Sequence, residues 1–299
     1  MPTGLYRLIG GQNIGDLTPG IIESFIAQNQ LDEETKERLI LWENESKYWD
    51  SYAKNISIKH RDTYWESPTY KSIVKTIEDL IDPKDNEVWL DPGCGALSMS
   101  ELIFKKANGV KKIYAMDVFL KPAKERLLNL NSLSNQNISS VIELVYGSLT
   151  DSLPFPDNFF DGIVGNFVFT FITEHEGEKG EKGLKNLFQE LYRILKPGGV
   201  LVWTSPRKNA NNLLGLIPSI GYALNPYLWY KSKTFLPLGV INILKHTKAL
   251  LKKGKDGICP ILPREDYEKL LSSIGFVNPK WINTFGNQAE ANRIYKPKA

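Results

Sequence analysis

A short glycine-rich stretch, Asp91 to Ala96, combines residue types that can form a ligand-binding loop. It follows the apolar run 88–90 and opens a helical pattern at about Leu97. Glycines let the backbone turn tightly and approach a ligand, and unpaired N–H groups at a helix N-terminus attract polar ligand atoms. A second acid, Asp117, ends the next apolar run, where a carboxylate can hydrogen-bond ribose hydroxyls. Loop and acid together indicate a nucleoside ligand.

The charge of this loop favours one class of nucleoside cofactor over another. A dinucleotide needs a diphosphate cradle, and the carboxylate of Asp91, two positions before the first glycine, would repel that diphosphate. The same carboxylate attracts a ligand that carries an ammonium and a sulfonium, directly or through water. Charge therefore favours S-adenosylmethionine over NAD.

The elements that must position these residues alternate between strand and helix, which predicts an α/β protein with a parallel, doubly wound sheet. The five predicted strands of the alternation are 88–90, 113–116, 141–146, 162–168 and 200–203. The helices between them are predicted at 97–106, 122–133 and 184–195. Pro197-Gly198-Gly199 is expected to stop the last of these helices. A final helix, 264–274, precedes two closing strands, 276–285 and 293–296.

Four blocks of the chain resemble the class I S-adenosylmethionine-dependent methyltransferases, in particular the small-molecule branch that includes quinone and sterol methyltransferases. The blocks are 88–96, 113–118, 147–161 and 191–199. The resemblance implies a Rossmann-like, mostly parallel seven-stranded sheet with helices on both faces. It also implies S-adenosyl-L-methionine as the cofactor.

The resemblance further implies a cofactor contact at each matching position. These positions are Asp91, Gly93, Cys94, Gly95, Asp117, Val118, Phe119, Ser148, Leu149 and Asn166. Asp117 would hold the ribose, and the glycine loop would line the methionine end. Val118 and Phe119 would cover one adenine face, whereas Ser148 and Leu149 would flank the adenine edge. Ser148 stands where many relatives have an acidic residue that contacts the adenine amino group.

Several side chains are candidates for a catalytic base or nucleophile, although an in-line methyl transfer needs no base. His175 follows the fourth predicted strand, at the rim where an acceptor would approach, among acids expected to raise its pKa. His60 and Tyr64 lie in an aromatic, charged stretch suited to fold over the cofactor. Cys94 is expected to be an inert thiol because the sequence shows no base partner for it. No metal-ligand spacing occurs, so no metal is expected.

Charge is distributed unevenly along the chain. The net charge of +3 over 299 residues is too small to indicate a nucleic-acid binder. Residues 206–262, however, contain nine Lys and Arg and one Asp. Within them, 240–253 place apolar side chains on one helical face and Lys245, Lys252 and Lys253 on the other, with His246 expected in solvent. The segment predicts a lid on the acceptor pocket, contact with an anionic membrane, or recognition of an anionic substrate.

Four segments are predicted: a helical cap (1–67), a cofactor-binding core (68–205), a basic apolar lid insertion (206–262) and a C-terminal completion of the core (263–299). Two cysteines exclude a disulfide framework. The first 20 residues contain no sustained apolar run. A cytoplasmic protein with peripheral membrane contact is therefore expected.

The predicted activity is methyl transfer to the O, N or C of a small, apolar acceptor. Two alternatives stay open at this point. One is a cofactor-binding regulatory or scaffold protein without transfer activity, and the other is an NAD(P)-dependent reductase.

Overall fold

The computed structural model describes residues 33–55, 67–107, 109–133, 138–211 and 259–298, with single positions and short stretches between 214 and 252. A seven-stranded sheet confirms the predicted α/β, Rossmann-like fold. Its strands are β1 (Val88–Pro92), β2 (Lys112–Asp117), β3 (Ile142–Tyr146), β4 (Phe160–Asn166), β7 (Leu195–Pro206), β8 (Val277–Thr284) and β9 (Ala289–Tyr295). A separate hairpin consists of β5 (Glu174–His175) and β6 (Glu178–Lys179).

The sheet has the order β3-β2-β1-β4-β7-β9-β8. The first five strands of this order are parallel, and β9 runs antiparallel to both β7 and β8. The chain reverses its direction of winding between β1 and β4, and ligands of such sheets bind beyond the carboxyl ends of the strands at that point. The glycine loop follows β1 at this position.

Helices cover both faces of the sheet. They are α1 (Glu33–Asn55), α2 (Pro68–Leu80), α3 (Ser98–Lys106), α4 (Lys121–Leu133), α5 (Gly180–Ile194) and α6 (Arg264–Ile274). Buried side chains of α1 to α4 pack with Trp89, whereas those of α5 and α6 pack with its neighbour Leu90. Successive residues of a strand point to opposite faces, so one short apolar run serves two cores.

Local sequence explains where several of these elements begin and end. Ser67 accepts a hydrogen bond from the backbone N–H of Tyr70 at 3.3 Å, and Pro68 occupies the first turn of α2. Gly275, with φ +108°, ends α6 in the left-handed conformation. Gly162 leaves room for the Trp89 ring, since a Cβ there would lie 2.4 Å from it.

The prediction for the fifth long strand is wrong at its start. We expected a strand at 200–203, with Pro197-Gly198-Gly199 ending the preceding helix, but β7 begins at Leu195, directly after α5. The backbone N–H of Gly198 donates to the carbonyl of Lys296 at 3.0 Å, and the N–H of Lys296 donates to Gly199 at 3.0 Å. Pairing with the C-terminal chain therefore extends the strand through residues that alone favour a turn.

Part of the predicted organisation lies outside the described residues. This holds for residues 1–32 of the cap, for His60, Tyr64 and His246, and for most of 206–262, including nearly all of the predicted amphipathic helix. Within the part of the chain that the structure describes, no helix combines the length and apolar character needed to cross a bilayer.

Candidate active site

A cavity of about 320 Å³ lies beyond the carboxyl ends of β1 to β4. Most of its wall comes from the loops that follow these strands, because parallel strands all present their carboxyl ends at one edge. The lining residues are Glu45, Trp49, Gly93, Gly95, Asp117, Val118, Gly147, Ser148, Leu149, Asn166, Phe167, Val168, Phe171 and Ile172. The volume is within the usual range for a small-molecule site.

The glycine loop takes a conformation that suits glycine. Gly93 and Gly95 have φ values of +66° and +52°. A Cβ on Gly93 would lie 2.1 Å from Val168 Cγ2, whereas a Cβ on Gly95 would meet nothing within 4 Å. The N–H groups of Gly93 and Cys94 donate to the Met116 carbonyl at 2.8 and 3.0 Å. Gly95 thus presents bare backbone to the cavity, the close approach that a loop glycine permits.

Asp91 lies beneath this loop and does not line the cavity. Its Oδ2 accepts hydrogen bonds from the backbone N–H and the hydroxyl of Ser100, at 2.9 and 2.7 Å. Burial raises the pKa of Asp91 to about 7, against the opposing effect of these two hydrogen bonds. The structure therefore does not place Asp91 in direct contact with a ligand in the cavity.

Asp117 lies at the end of β2 and lines the cavity. Its Oδ2 accepts from the N–H of Gly95 at 2.9 Å, and its Oδ1 accepts from the N–H of Phe119 at 2.8 Å. Burial raises the pKa of Asp117 to about 6, and the charge of Glu45 adds to this effect. An ionised carboxylate has about four acceptor positions, so Asp117 is fixed in orientation by backbone donors and can still accept a ligand hydroxyl.

Asn166 is held at the end of β4 by two neighbours. Its Oδ1 accepts from the Thr204 hydroxyl at 2.6 Å, and its Nδ2 donates to the Tyr70 hydroxyl at 3.2 Å. The next residue, Phe167, has φ +55° and donates its N–H to the same Thr204 oxygen at 2.8 Å. This turn places Phe167 in the cavity wall.

The structure thus brings most of the expected cofactor positions to one cavity. Those that line it are Gly93, Gly95, Asp117, Val118, Ser148, Leu149 and Asn166. Cys94 and Phe119 do not line it. The Cys94 thiol is buried, and burial raises its pKa well above the ordinary value, which disfavours the nucleophilic thiolate.

The expected position of His175 at the rim is wrong. The side chain is completely buried in the β5–β6 hairpin, and its Nδ1 donates to the Leu149 carbonyl at 2.7 Å. It does not line the cavity. The chain forms a short hairpin after β4, and His175 within it has no exposed surface. His60 and Tyr64 lie outside the described residues.

Two cavity residues were missed because they come from α1, far away in the sequence. The Ser148 hydroxyl donates to Glu45 Oε2 at 2.5 Å, and the Trp49 ring packs edge-on against Phe171 with centroids 5.4 Å apart. Trp42, Glu45 and Trp49 recur at helical spacing, which marks one face of α1 for burial. Their position over the cavity could not be derived from that spacing.

Part of the cavity wall is apolar. It consists of Trp49, Phe167, Val168, Phe171 and Ile172. Among the described residues, no group of three or more His, Cys, Asp or Glu side chains is arranged to hold a metal ion.

Part of the chain is similar in sequence to known proteins. Residues 90–203 match a family described as "Methyltransferase domain". Two relatives named ubiquinone/menaquinone biosynthesis C-methyltransferase UbiE, from Salmonella arizonae and Salmonella newport, are each 37% identical over 86 residues. The match covers 29% of this chain and 28% of each relative, so the chain spans little more than a quarter of their length.

One solved structure of low sequence identity shares the fold, and a second aligns with a lower TM-score. A protein of Nostoc punctiforme PCC 73102, provisionally described as an O-methyltransferase, is 14% identical with a TM-score of 0.50, over 80% of this chain and 60% of the other. A SAM-dependent methyltransferase from Aquifex aeolicus is 16% identical with a TM-score of 0.47, over 80% of this chain and 99% of the other.

Proposed function

We propose that this chain, which contains a class I S-adenosylmethionine-dependent methyltransferase domain, transfers a methyl group to a small, lipophilic acceptor. The observation that carries the proposal is the cavity at the carboxyl ends of β1 to β4. Its lining combines loop backbone and the carboxylate of Asp117 with aromatic and aliphatic side chains. A site of this mixed character fits a polar cofactor and an apolar acceptor.

The residues present fit the cofactor. Gly95 leaves open space where any other side chain would project, and Asp117 offers acceptor oxygens for ribose hydroxyls. Asp91 and Asp117 lie close enough for the charge of Asp117 to raise the pKa of Asp91. A cationic ligand nearby would relieve this repulsion, whereas a diphosphate would increase it. S-adenosylmethionine therefore suits the site better than NAD.

When bound, S-adenosylmethionine would supply an electrophilic methyl group on its sulfonium. A nucleophilic atom of the acceptor would take this methyl group, and the bonding electron pair would stay on sulfur. The chain contributes orientation: Asp117 fixes the ribose, and Asn166 is held by Thr204 at the end of β4. Orientation of this kind is worth up to about 7–11 kcal/mol. The apolar wall excludes water from the reacting groups. An acidic hydroxyl or a carboxylate acceptor would need no base from the protein.

We further propose that residues 206–262 form a lid that contacts an anionic membrane, which would supply a lipophilic acceptor. Support comes from apolar side chains that are exposed at helical spacing: Leu214, Ile217, Ile220, Leu224 and Tyr227. The N–H of Leu224 donates to the carbonyl of Ile220 at 2.9 Å, as in a helix. Lys248 and Lys252 are also exposed, and the segment is strongly basic. Apolar and basic surface together suit an interfacial contact.

The transfer proposal is tested with methyl-labelled S-adenosylmethionine and fractionated polar and lipid extracts. We expect label in a lipid-soluble product, and we expect Asp117→Ala to abolish cofactor binding and labelling together. Cofactor binding without any labelled product would favour the regulatory alternative. Stabilisation by NAD(P) but not by S-adenosylmethionine would favour the reductase.

The membrane proposal is tested by flotation with vesicles of phosphatidylcholine, with and without phosphatidylglycerol. We expect flotation with the anionic vesicles only, and its loss in the variant Ile217→Ser/Leu224→Ser. Leu128→Ser is the matched control, because Leu128 is equally apolar and 62% exposed but lies on α4. Equal loss in both variants, or no flotation of the wild-type protein, would contradict the proposal.

A further inference from the structure

Helix α1 lies outside residues 90–203 that match the methyltransferase domain, yet it forms part of the cavity wall. Three contacts along the helix fix it there. Arg38 Nε lies 3.4 Å from Asp151 Oδ2, and Trp42 packs edge-on against Tyr146 with centroids 5.6 Å apart. Trp49 packs in the same way against Phe171. Glu45, between the two tryptophans, is held against the cavity.

The carboxylate of Glu45 lies at the end of the cavity formed by the loop after β3. The Ser148 hydroxyl donates to its Oε2 at 2.5 Å, and the Trp49 side chain donates a second hydrogen bond. Its charge also reaches Asp117, whose pKa it helps to raise. The side chain therefore lies beside the proposed ribose position, toward β3.

Glu45 retains capacity for a ligand. An ionised carboxylate has about four acceptor positions, and the donors to Glu45 within the described part of the chain, Ser148 and Trp49, occupy two of them. A hydrogen-bond donor from the ligand would be favoured here, because a carboxylate that is shielded from water costs free energy when it has few hydrogen-bond partners. A ligand acceptor atom at the same place would meet the negative charge.

We propose that Glu45 recognises the exocyclic amino group of the cofactor's adenine, in place of an acid in the loop after β3. The inference depends on the proposed function, since it requires the cofactor to bind with its ribose at Asp117. It assigns to α1 a role that the matched domain does not contain. Ser148, which replaces the loop acid, then serves as the hydroxyl that orients Glu45.

The proposal predicts discrimination between an amino group and a carbonyl on the base. Adenine donates from its amino group, whereas hypoxanthine presents a carbonyl oxygen at the same position. The probes are S-adenosyl-L-homocysteine and S-inosyl-L-homocysteine, whose dissociation constants are measured by calorimetry. We expect the full-length wild-type protein to bind the adenosyl compound about 100-fold more tightly. Equal affinity for the two would overturn the proposal without any variant.

Glu45→Gln removes the charge and adds an amide that can turn its NH₂ toward a carbonyl. We expect about tenfold weaker binding of S-adenosyl-L-homocysteine and discrimination of about fivefold or less. Glu37→Gln is the matched control, because Glu37 is exposed on the same helix and does not line the cavity. It should leave both dissociation constants unchanged.

A second variant separates recognition from a structural effect of α1. Glu45→Gln/Ser148→Asp places the carboxylate in the loop after β3, and we expect discrimination to return to about the wild-type level. If Glu45→Gln weakens the binding of both compounds equally, and the double variant does not restore the discrimination between them, Glu45 only docks α1. In that case the proposed function would stand, whereas failure of the wild-type protein to bind either compound would overturn both.

Discussion

Asp91 places a carboxylate where ionisation is unfavourable, and its replacement should therefore stabilise the cofactor-free protein. The side chain is buried beneath the glycine loop, and burial is the main cause that raises its pKa from 3.8 to about 7. In the unfolded chain the same group loses its proton near pH 4. Between these pH values the folded state binds more protons, so the free energy of unfolding falls as pH rises.

The magnitude follows from the width of that interval. Each pKa unit corresponds to about 1.4 kcal/mol, so the interval of about three units amounts to roughly 4 kcal/mol. This loss is absent below about pH 4 and complete above about pH 7. Asn at position 91 carries no charge, and its amide oxygen can accept both hydrogen bonds from Ser100, which converge on the single oxygen Oδ2.

Asp91→Asn should accordingly match the wild-type protein at pH 4 and exceed its free energy of unfolding by up to about 4 kcal/mol at pH 8. Urea unfolding without cofactor measures both. Asp85→Asn, which changes an exposed carboxylate before β1, is the control and should have little effect at either pH. Asp91→Asn should also weaken the binding of S-adenosylmethionine more than the binding of S-adenosyl-L-homocysteine, because only the former has a sulfonium. A variant less stable than wild type at pH 8, with an unchanged pH dependence, would refute the reasoning.

Three further outcomes follow from the cavity and the sheet. Because burial raises the pKa of Asp117 to about 6, affinity for S-adenosyl-L-homocysteine should increase from pH 5 to 7; calorimetry of Asp117→Asn should show no such increase. Gly95→Val should weaken the binding of S-adenosyl-L-homocysteine at least about tenfold. The control Gly177→Val, at a glycine that also has a positive φ and open surroundings, should only destabilise the fold by about 1–2 kcal/mol. Equal affinities of the two variants for S-adenosyl-L-homocysteine would contradict this. Gly162→Ala should destabilise the protein by at least about 2 kcal/mol in urea, since its Cβ would meet the Trp89 ring; a change below about 0.5 kcal/mol would show that the ring moves away freely.

The core of the sheet could be predicted because its strands carry their own apolar signature. Val88-Trp89-Leu90 is apolar on both faces, as a strand buried by helices on two sides must be, and β1 begins at Val88 as expected. The start of β7 could not be predicted in this way. It depends on pairing between Gly198 and Lys296, nearly a hundred residues apart, which overrides the local preference for a turn.

The candidate site likewise contains residues whose positions could be predicted from the sequence and residues whose positions could not. Strand-end positions such as Gly95 and Asp117 were predictable, because a parallel sheet collects the carboxyl ends of its strands at one edge whatever the details of packing. His175 was misplaced because its burial depends on a two-residue hairpin that periodicity does not reveal. A residue that follows a strand end is thus expected near the cavity, but this position does not show whether its side chain is exposed there.

Helix α1 shows why residues outside the sheet pattern escape prediction even when their chemistry matters. The apolar face of the helix, with Trp42 and Trp49, was visible in the sequence, but an amphipathic face does not specify the surface it covers. Glu45 is half-buried only because α1 docks on loops more than a hundred residues away. Under the proposal above, the half-buried carboxylate of Glu45 replaces the acid that the loop lacks at Ser148. On this reasoning α1 and the loop after β3 form a single functional unit, and changes at either should alter adenine recognition more than they alter the sheet.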